Sequence, residues 1–99
     1  MNIKAIGLVE VSGSVAAVDA LDIMCKAADV SIVTWEKKLG GRLVTIVVTG
    51  DVSDVTAAVE AANASCIHPP CASAVIPNPH KETKRILEFS AKNHNLDTE

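Results

Sequence analysis

Three side chains that could bind a metal lie close together in the second half of the sequence. They are Cys66, His68 and Cys71. Thiolate and imidazole groups are ligands of zinc and of iron–sulfur clusters. A fourth ligand would have to come from His80, from Cys25 or from another subunit, and the sequence has no Cys-x-x-Cys pair. Cys66 also falls on the apolar stripe of a predicted helix, so burial accounts for it without a metal. We therefore predict no bound metal, and a redox or metal carrier remains an alternative function.

No other grouping of residues predicts an enzyme. The sequence has no serine in a nucleophile-elbow context and no two histidines on one helix face. It also has no phosphate-binding loop, because Gly40-Gly41 is too short a glycine run. We therefore expect a protein without enzymatic activity and without a cofactor.

The composition describes one small domain with more apolar surface than its core requires. Of 99 residues, 48% are hydrophobic but only 2% are aromatic, and the net charge is −3. So many apolar residues exclude a disordered chain. The negative charge and the lack of stacking aromatics argue against a nucleic-acid partner. Self-association is the simplest use of the excess apolar surface.

Three features of the sequence favour the cytoplasm. No stretch reaches the ~18 apolar residues of a membrane span. Residues 1–5 lack the continuous apolar run of a signal peptide. The odd number of cysteines, 3, suggests reduced thiols. We expect a cytoplasmic protein with no membrane partner.

Alternating strand and helix patterns predict the order β-α-β-β-α-β followed by one more helix. The strands are rich in β-branched residues, and Ser14 and Asp51 are candidate N-caps. This order predicts an α+β, ferredoxin-like split β-α-β fold, with a four-stranded antiparallel sheet and helices on one face. We predict strands over 3–11, 30–36, 43–49 and 72–76, helices after the two caps, and a last helix over 81–91. A single domain covers 3–91, and residues 92–99 form a disordered tail.

Apolar spacing predicts which faces of the first two helices are buried. The stripes are Val18, Leu21, Cys25 and Ala28 in the first helix and Val52, Val55, Val59, Ala62 and Cys66 in the second. On another face of the first helix, Asp22 and Lys26 are four residues apart and predict a weak ion pair.

Several short motifs occur in an order that resembles a known family. They are AIGLVEVSGSVAAVDALDIMCKAADV over 5–30, Gly40-Gly41 between two strands, Gly50-Asp51-Val52 before an alanine-rich helix, and Val75-Ile76-Pro77 with Pro79-His80 before the last helix. Over about residues 5–87 the chain is similar to the single-domain, hexamer-forming shell proteins of bacterial microcompartments.

This resemblance implies a structural role. Six copies would pack as a flat hexameric tile, and tiles would join each other and other shell proteins edge to edge into the facets of a shell. Six loops would line a central pore for metabolites. By position, the pore-lining residues are Leu39, Gly40, Gly41 and Arg42, and the tile-edge residues are Lys26, Asn78, Pro79 and His80. For Lys26, the alternative is a solvated side chain paired with Asp22.

Two positions depart from the family pattern. Asn78 stands where the family usually has an arginine that inserts into the next tile. Because an amide is shorter and lacks the charged fork of a guanidinium, Asn78 predicts weaker contacts between tiles. The loop over 37–42 is one residue longer than the family's, and Arg42 replaces its last small residue. If Arg42 faces the axis, six arginines favour small anionic or polar metabolites; otherwise its side chain points into a subunit contact or solvent.

A small-ligand-binding regulatory module of ferredoxin-like fold is the main alternative. Such a module would form a dimer to tetramer and bind a metabolite stoichiometrically. A tile contains six copies, so the mass of the particle separates these two functions.

Overall fold

A four-stranded antiparallel sheet in the order β2-β3-β1-β4 organises the chain. The structure, a computed structural model, describes residues 2–96. The elements are β1 (Ala5–Val11), α1 (Ser14–Ala27), β2 (Ser31–Lys38), β3 (Leu43–Gly50), α2 (Val52–Ser65), β4 (Ala72–Ile76) and α3 (Lys81–Asn93). This order confirms the predicted α+β, split β-α-β fold. None of the helices in residues 2–96 is long and apolar enough to cross a membrane.

The strand register fixes which ends of the elements lie together. At one end of the sheet, the start of β1 pairs with the ends of its neighbours, Ala5 with Gly50 and Ile6 with Ile76. At the other end, Val11 pairs with Val44. β2 runs further than predicted, because Lys38 still pairs with Leu43 across the β2–β3 hairpin. Lys37 and Lys38 are therefore strand residues, and the connecting turn is shorter than the predicted loop.

The helices cover both faces of the sheet. α1 and α2 pack on one face over a core of valine, isoleucine and alanine that includes Val9, Val48 and Val55, as predicted for the two helices of the β-α-β units. The appended α3 lies against the opposite face, so the prediction of helices on one face is wrong for this helix; Leu87 packs there on the cluster that contains Ile6 and Val47. Side chains alternate between the faces of a strand, so this second cluster gives α3 its own contact surface.

The buried face of α1 is not the predicted one. Its buried residues are Ala16, Ala17, Ala20 and Met24. Val18 is 69% exposed, Cys25 is exposed, and Leu21 is half-buried. Because alanine lets a helix approach the sheet closely, the alanine face of α1 is buried together with Met24, and Val18 is turned outward. Ser14 is the first helical residue instead of the N-cap, which is Gly13.

The second helix follows the prediction more closely. Val55, Val59 and Ala62 are buried, whereas Val52 at the start of α2 is 46% exposed. Asp51 stands at the N-cap, as predicted, but makes no capping hydrogen bond through its side chain.

The chain after residue 91 is more structured than expected. α3 continues to Asn93, and residues 94–96 pack on β2. Lys92 and Asn93 thus belong to a helix, not to a disordered tail. Residues 97–99 of the predicted tail lie outside the described residues, and the domain limits of 3–91 stay a prediction.

Candidate functional site

The turn between β2 and β3 is built from residues with left-handed backbone. The φ angle is +54° at Leu39, +67° at Gly40 and +90° at Gly41, a region open to glycine but unfavourable for other residues. The amide of Arg42 donates to the Leu39 carbonyl at 3.3 Å and closes the turn. The backbone thus requires the two glycines, whereas Leu39 adopts this conformation at a cost of roughly 1–2 kcal/mol.

The base of this turn is anchored and its tip is free. The Gly13 amide donates to the Arg42 carbonyl at 3.0 Å, which fixes the turn on the start of α1. Leu39 is 69% exposed, and Lys37, Lys38 and Arg42 are also exposed. The turn and the adjoining end of β2 therefore present one apolar and three cationic side chains to their surroundings.

Lys26, in the last turn of α1, forms the ion pair that the sequence predicts. Its Nζ lies 2.9 Å from Oδ2 of Asp22, and both side chains are largely exposed. The hydrogen bond to Asp22 and the charge of that carboxylate raise the pKa of Lys26 above its ordinary value. Exposed pairs of this kind contribute little to stability, so Lys26 remains free to contact a partner.

The turn between β4 and α3 holds the other three predicted edge residues in different environments. Asn78 is exposed, whereas Pro79 is buried. His80 is the N-cap of α3, because its Nδ1 accepts a hydrogen bond from the Glu82 amide at 3.0 Å. Accepting this bond requires an unprotonated Nδ1. His80 therefore has a local structural role that the sequence did not reveal.

The two groups of candidate residues lie at opposite ends of the sheet. The start of α1 is bonded to the turn at Arg42, whereas the segment after its other end reaches α2, where the Asp29 amide donates to Asp54 at 3.4 Å. Pro77 follows Ile76, which pairs with the start of β1. Lys26 and Asn78 are thus at the same end. The length of β1 separates them from the turn by about 20 Å.

The cysteine and histidine cluster does not assemble into a metal site. Within residues 2–96, no three His, Cys, Asp or Glu side chains are grouped so that they could hold a metal ion. Cys66 Sγ is 3.8 Å from the Ala16 carbonyl, and Cys71 Sγ is 3.4 Å from the Ser12 hydroxyl. Burial, with the Asp19 carboxylate, raises the pKa of the Cys66 thiol. A raised pKa disfavours the thiolate that a metal would need.

An apolar cleft of about 430 Å³ lies between α1 and β2. α1 packs over β1 and β3 and leaves the adjacent face of β2 uncovered. The cleft is lined by Ser14, Ala17, Val18, Leu21, Ile32, Trp35, Lys37, Val44, Ile46 and Leu96. The exposed Val18 and the half-buried Leu21 both line this cleft. Leu21 also packs against the core cluster, whereas Val18 is 69% exposed.

The sequence analysis did not predict this cleft. The signal was present in α1, where Val15 and Val18 are spaced three apart beside a separate stripe of alanines. Two apolar stripes on one helix indicate two packing surfaces. In the structure, Val15 is 76% exposed, so the second stripe has no partner within the described chain.

One family model and several known proteins are similar to this chain. The family model of the BMC domain matches residues 5–79, about three quarters of the chain. The chain is 43% identical over 89 residues to the bacterial microcompartment shell protein PduA of Salmonella typhimurium, covering 88% of this chain and 94% of that protein. It is 38% identical over 91 residues to the carboxysome shell protein CsoS1A of Hydrogenovibrio crunogenus, covering 89% of this chain and 94% of that one.

A solved structure agrees with these relatives. A microcompartment protein from Desulfitobacterium hafniense superposes with a TM-score of 0.76 at 32% identity. The match covers 86% of this chain but 49% of that one, so this chain spans about half of its length. Sequence and structure both show that the chain belongs to the BMC domain family.

Proposed function

We propose that this chain is a structural shell protein of a bacterial microcompartment in the cytoplasm, and that six copies close a flat tile around a central pore. The relatives described above are shell proteins of microcompartments and carboxysomes. In this role the chain has no catalytic activity, and its partners are copies of itself and other shell proteins. Membership of the BMC family does not favour the alternative of a ligand-binding regulatory module.

The observation that carries this proposal is the separation of the two candidate sites along the sheet. A tile needs one end of each subunit at its axis and the other end at its rim. The turn Leu39–Gly41 and the group Lys26 and Asn78 lie at opposite ends of the strands. The chain is also thin in one direction, with extents of 32 × 31 × 20 Å. These dimensions suit a subunit that lies flat with its strands along a radius.

The apolar cleft supplies one side of the proposed subunit contact. The other side would be the opposite edge of the sheet, where Ile76 is 36% exposed and most residues of β4 are exposed. A contact between two different surfaces of the same chain generates rings when its rotation closes. Each copy therefore covers the cleft of the next one.

At the rim, neighbouring tiles meet through Lys26 and Asn78. Pro79 is buried and His80 caps α3, so these two residues act by fixing the shape of the turn that presents Asn78. Asn78 has two amide donors and no charge. Contacts between tiles of this chain are therefore weaker than those of relatives with an arginine there, and other shell proteins contribute to the facet.

At the axis, we assign the pore to Leu39, Gly40, Gly41 and Arg42. Six arginines near an axis repel one another, but at ~8 Å in a water-like dielectric each neighbouring pair costs only about 0.5 kcal/mol. Apolar burial between subunits exceeds that cost. The ring of positive charge favours small anionic or polar metabolites and slows cations.

Electron microscopy of the purified protein tests this function. We expect sixfold particles and, at high concentration, ordered layers of them with a central opening. Particles with twofold or no symmetry, together with stoichiometric binding of a metabolite, would contradict the proposal and support the regulatory alternative.

A further inference from the structure

His94, directly after α3, contacts two residues of β2. Its imidazole ring stacks on the Trp35 ring, with centroids 4.0 Å apart and an angle of 26° between the planes. Its Nε2 lies 3.5 Å from Oε2 of Glu36. The His94 side chain is only 22% exposed. The end of α3 is thus held on the edge strand of the sheet by one stacking contact and one contact that depends on charge.

The Glu36 carboxylate is held in place independently of His94. The Ser90 hydroxyl donates to Oε2 of Glu36. The Ser90 and Thr34 oxygens are 2.6 Å apart in a buried hydrogen bond. Because Ser90 uses its only proton for Glu36, the Thr34 hydroxyl must donate to Ser90. This chain of two hydroxyls orients the acceptor, whatever the charge on the imidazole.

The backbone after His94 forms a Schellman turn that directs Leu96 into the cleft. The amide of Leu96 donates to the Ala91 carbonyl at 2.8 Å, and that of Asn95 donates to the Lys92 carbonyl at 3.1 Å. Asn95 has a φ of +58°, the conformation that this motif requires after a helix. Leu96 lines the same cleft as Trp35. Residues 93–96 are therefore joined into one short hydrogen-bonded segment, which we name the strap.

The charged groups around His94 decide whether protonation strengthens the contact of the strap with β2. Glu36 attracts an imidazolium, and with both groups charged the contact becomes an ion pair. Lys37 opposes this, because its Nζ lies 5.3 Å from the centroid of the Trp35 ring on which His94 stacks. α1 contributes only Ser14 and apolar side chains to the cleft, and the nearest cation on α3 in sequence is Lys92. Histidine is the side chain that ordinarily changes charge between about pH 5 and 8.

We propose that residues 93–96 are a pH-sensitive strap, which closes over one end of the α1–β2 cleft when His94 is protonated and loosens as His94 loses its proton. The direction follows from the charges: the attraction between two opposite charges at Glu36 is present only while His94 is protonated, and it is lost as the pH rises. Its effect on assembly rests on the proposed function, because the neighbouring subunit would use the same cleft. A closed strap competes with that neighbour, so acidification favours smaller species.

The fluorescence of Trp35 reports the state of the strap directly, since it is the only tryptophan of the chain. We would titrate the full-length protein between about pH 5 and 8.5, around the ordinary range of histidine. We expect emission to change in one step as a charged imidazole forms against the indole. We also expect the amides of residues 94–96, corrected for intrinsic exchange rates, to be about two- to fivefold better protected on the acidic side, as for other exposed ion pairs.

Three variants make the assignment specific. His94→Gln keeps a planar polar side chain without a titratable group, so both changes should disappear. Glu36→Gln keeps the imidazole but removes the negative charge beside it, so the extra protection on the acidic side should vanish. The matched control is His68→Gln, because His68 is exposed in the α2–β4 connection; it should titrate like the wild type.

Two results would overturn the strap. One is a wild-type protein whose emission and exchange are flat across this range, and the other is a step that survives in His94→Gln or is lost in His68→Gln. The mass of the particle, measured on the same samples, keeps the two proposals apart. A sixfold mass without titration overturns the strap alone, and titration of a monomer overturns the tile alone. If the strap responds to pH but the sixfold particle is equally stable at both ends of the pH range, the strap and the neighbouring subunit do not compete for the cleft.

Discussion

Substitution of Val18 tests whether the α1–β2 cleft is a contact between subunits. It is 69% exposed in the isolated chain and lines the cleft. Burying a whole valine side chain contributes about 1.5–3 kcal/mol, so covering the exposed part adds about 1–2 kcal/mol per contact. Val18→Asp removes this gain and also places a carboxylate in an apolar contact, at a further cost of several kcal/mol. Each loss of about 1.4 kcal/mol in binding free energy lowers the affinity tenfold. We therefore expect at least a hundredfold weaker association at each contact.

The same substitution should leave the fold of the single chain nearly unchanged. Val18 is exposed there, and exposed substitutions usually change the free energy of unfolding by less than about 0.5 kcal/mol. The matched control is Ile86→Asp on α3, on the other face of the sheet, where the side chain is 61% exposed. Both variants place a new carboxylate four residues from an existing one, Asp22 or Glu82, so their local repulsion is similar.

Analytical ultracentrifugation at micromolar concentration, with circular dichroism on the same samples, separates assembly from folding. We expect Val18→Asp to sediment as a folded small species and Ile86→Asp to retain the wild-type particle. If Val18→Asp assembles like the wild type, the cleft is not a subunit contact and this part of the reasoning is wrong.

Three further predictions concern the rim and the pore turn. Asn78→Arg should promote sheets or tubes in electron micrographs, because a guanidinium adds charge and a planar set of donors; unchanged assembly under identical conditions would count against a rim position. Arg42→Glu should reverse the ion preference of single particles conducting across a bilayer, and an identical preference would place Arg42 away from the pore. Leu39→Gly should raise the free energy of unfolding by about 1 kcal/mol, because φ is +54° there; no gain in thermal denaturation would mean that the turn is not strained.

The strands were predictable because their signals are local. Runs of β-branched residues located β2 and β3, a near-continuous apolar run located β1, and β4 has the predicted bounds of Ala72–Ile76. The match with ferredoxin-like topology followed from the order of the elements. The sequence also identified the Asp22–Lys26 pair, since its spacing on a helix is enough to bring the two charges together.

The buried face of α1 was not predictable from hydrophobicity alone. The larger side chains Val18 and Leu21 predicted the buried stripe, but Ala16 and Ala20 occupy it. Hydrophobicity does not state whether a helix packs against its own sheet or against another copy. In this chain α1 has an alanine face for the first purpose and a valine face that the described chain leaves open.

The ordered structure at the end of α3 was not predicted, for a different reason. The composition of residues 92–96 is polar, which is typical of a frayed terminus. Its order comes from long-range contacts that no local pattern encodes, chiefly the stacking of His94 on Trp35 and the buried bond between Ser90 and Thr34. Likewise, the capping role of His80 depends on a side-chain rotamer and not on residue type.

Native mass spectrometry of the wild-type protein in dilute solution measures the number of chains in one particle. Every part of the tile depends on that number, from the covered cleft to the shared pore. We predict a dominant species of six chains. A folded monomer that persists as concentration rises would contradict the account.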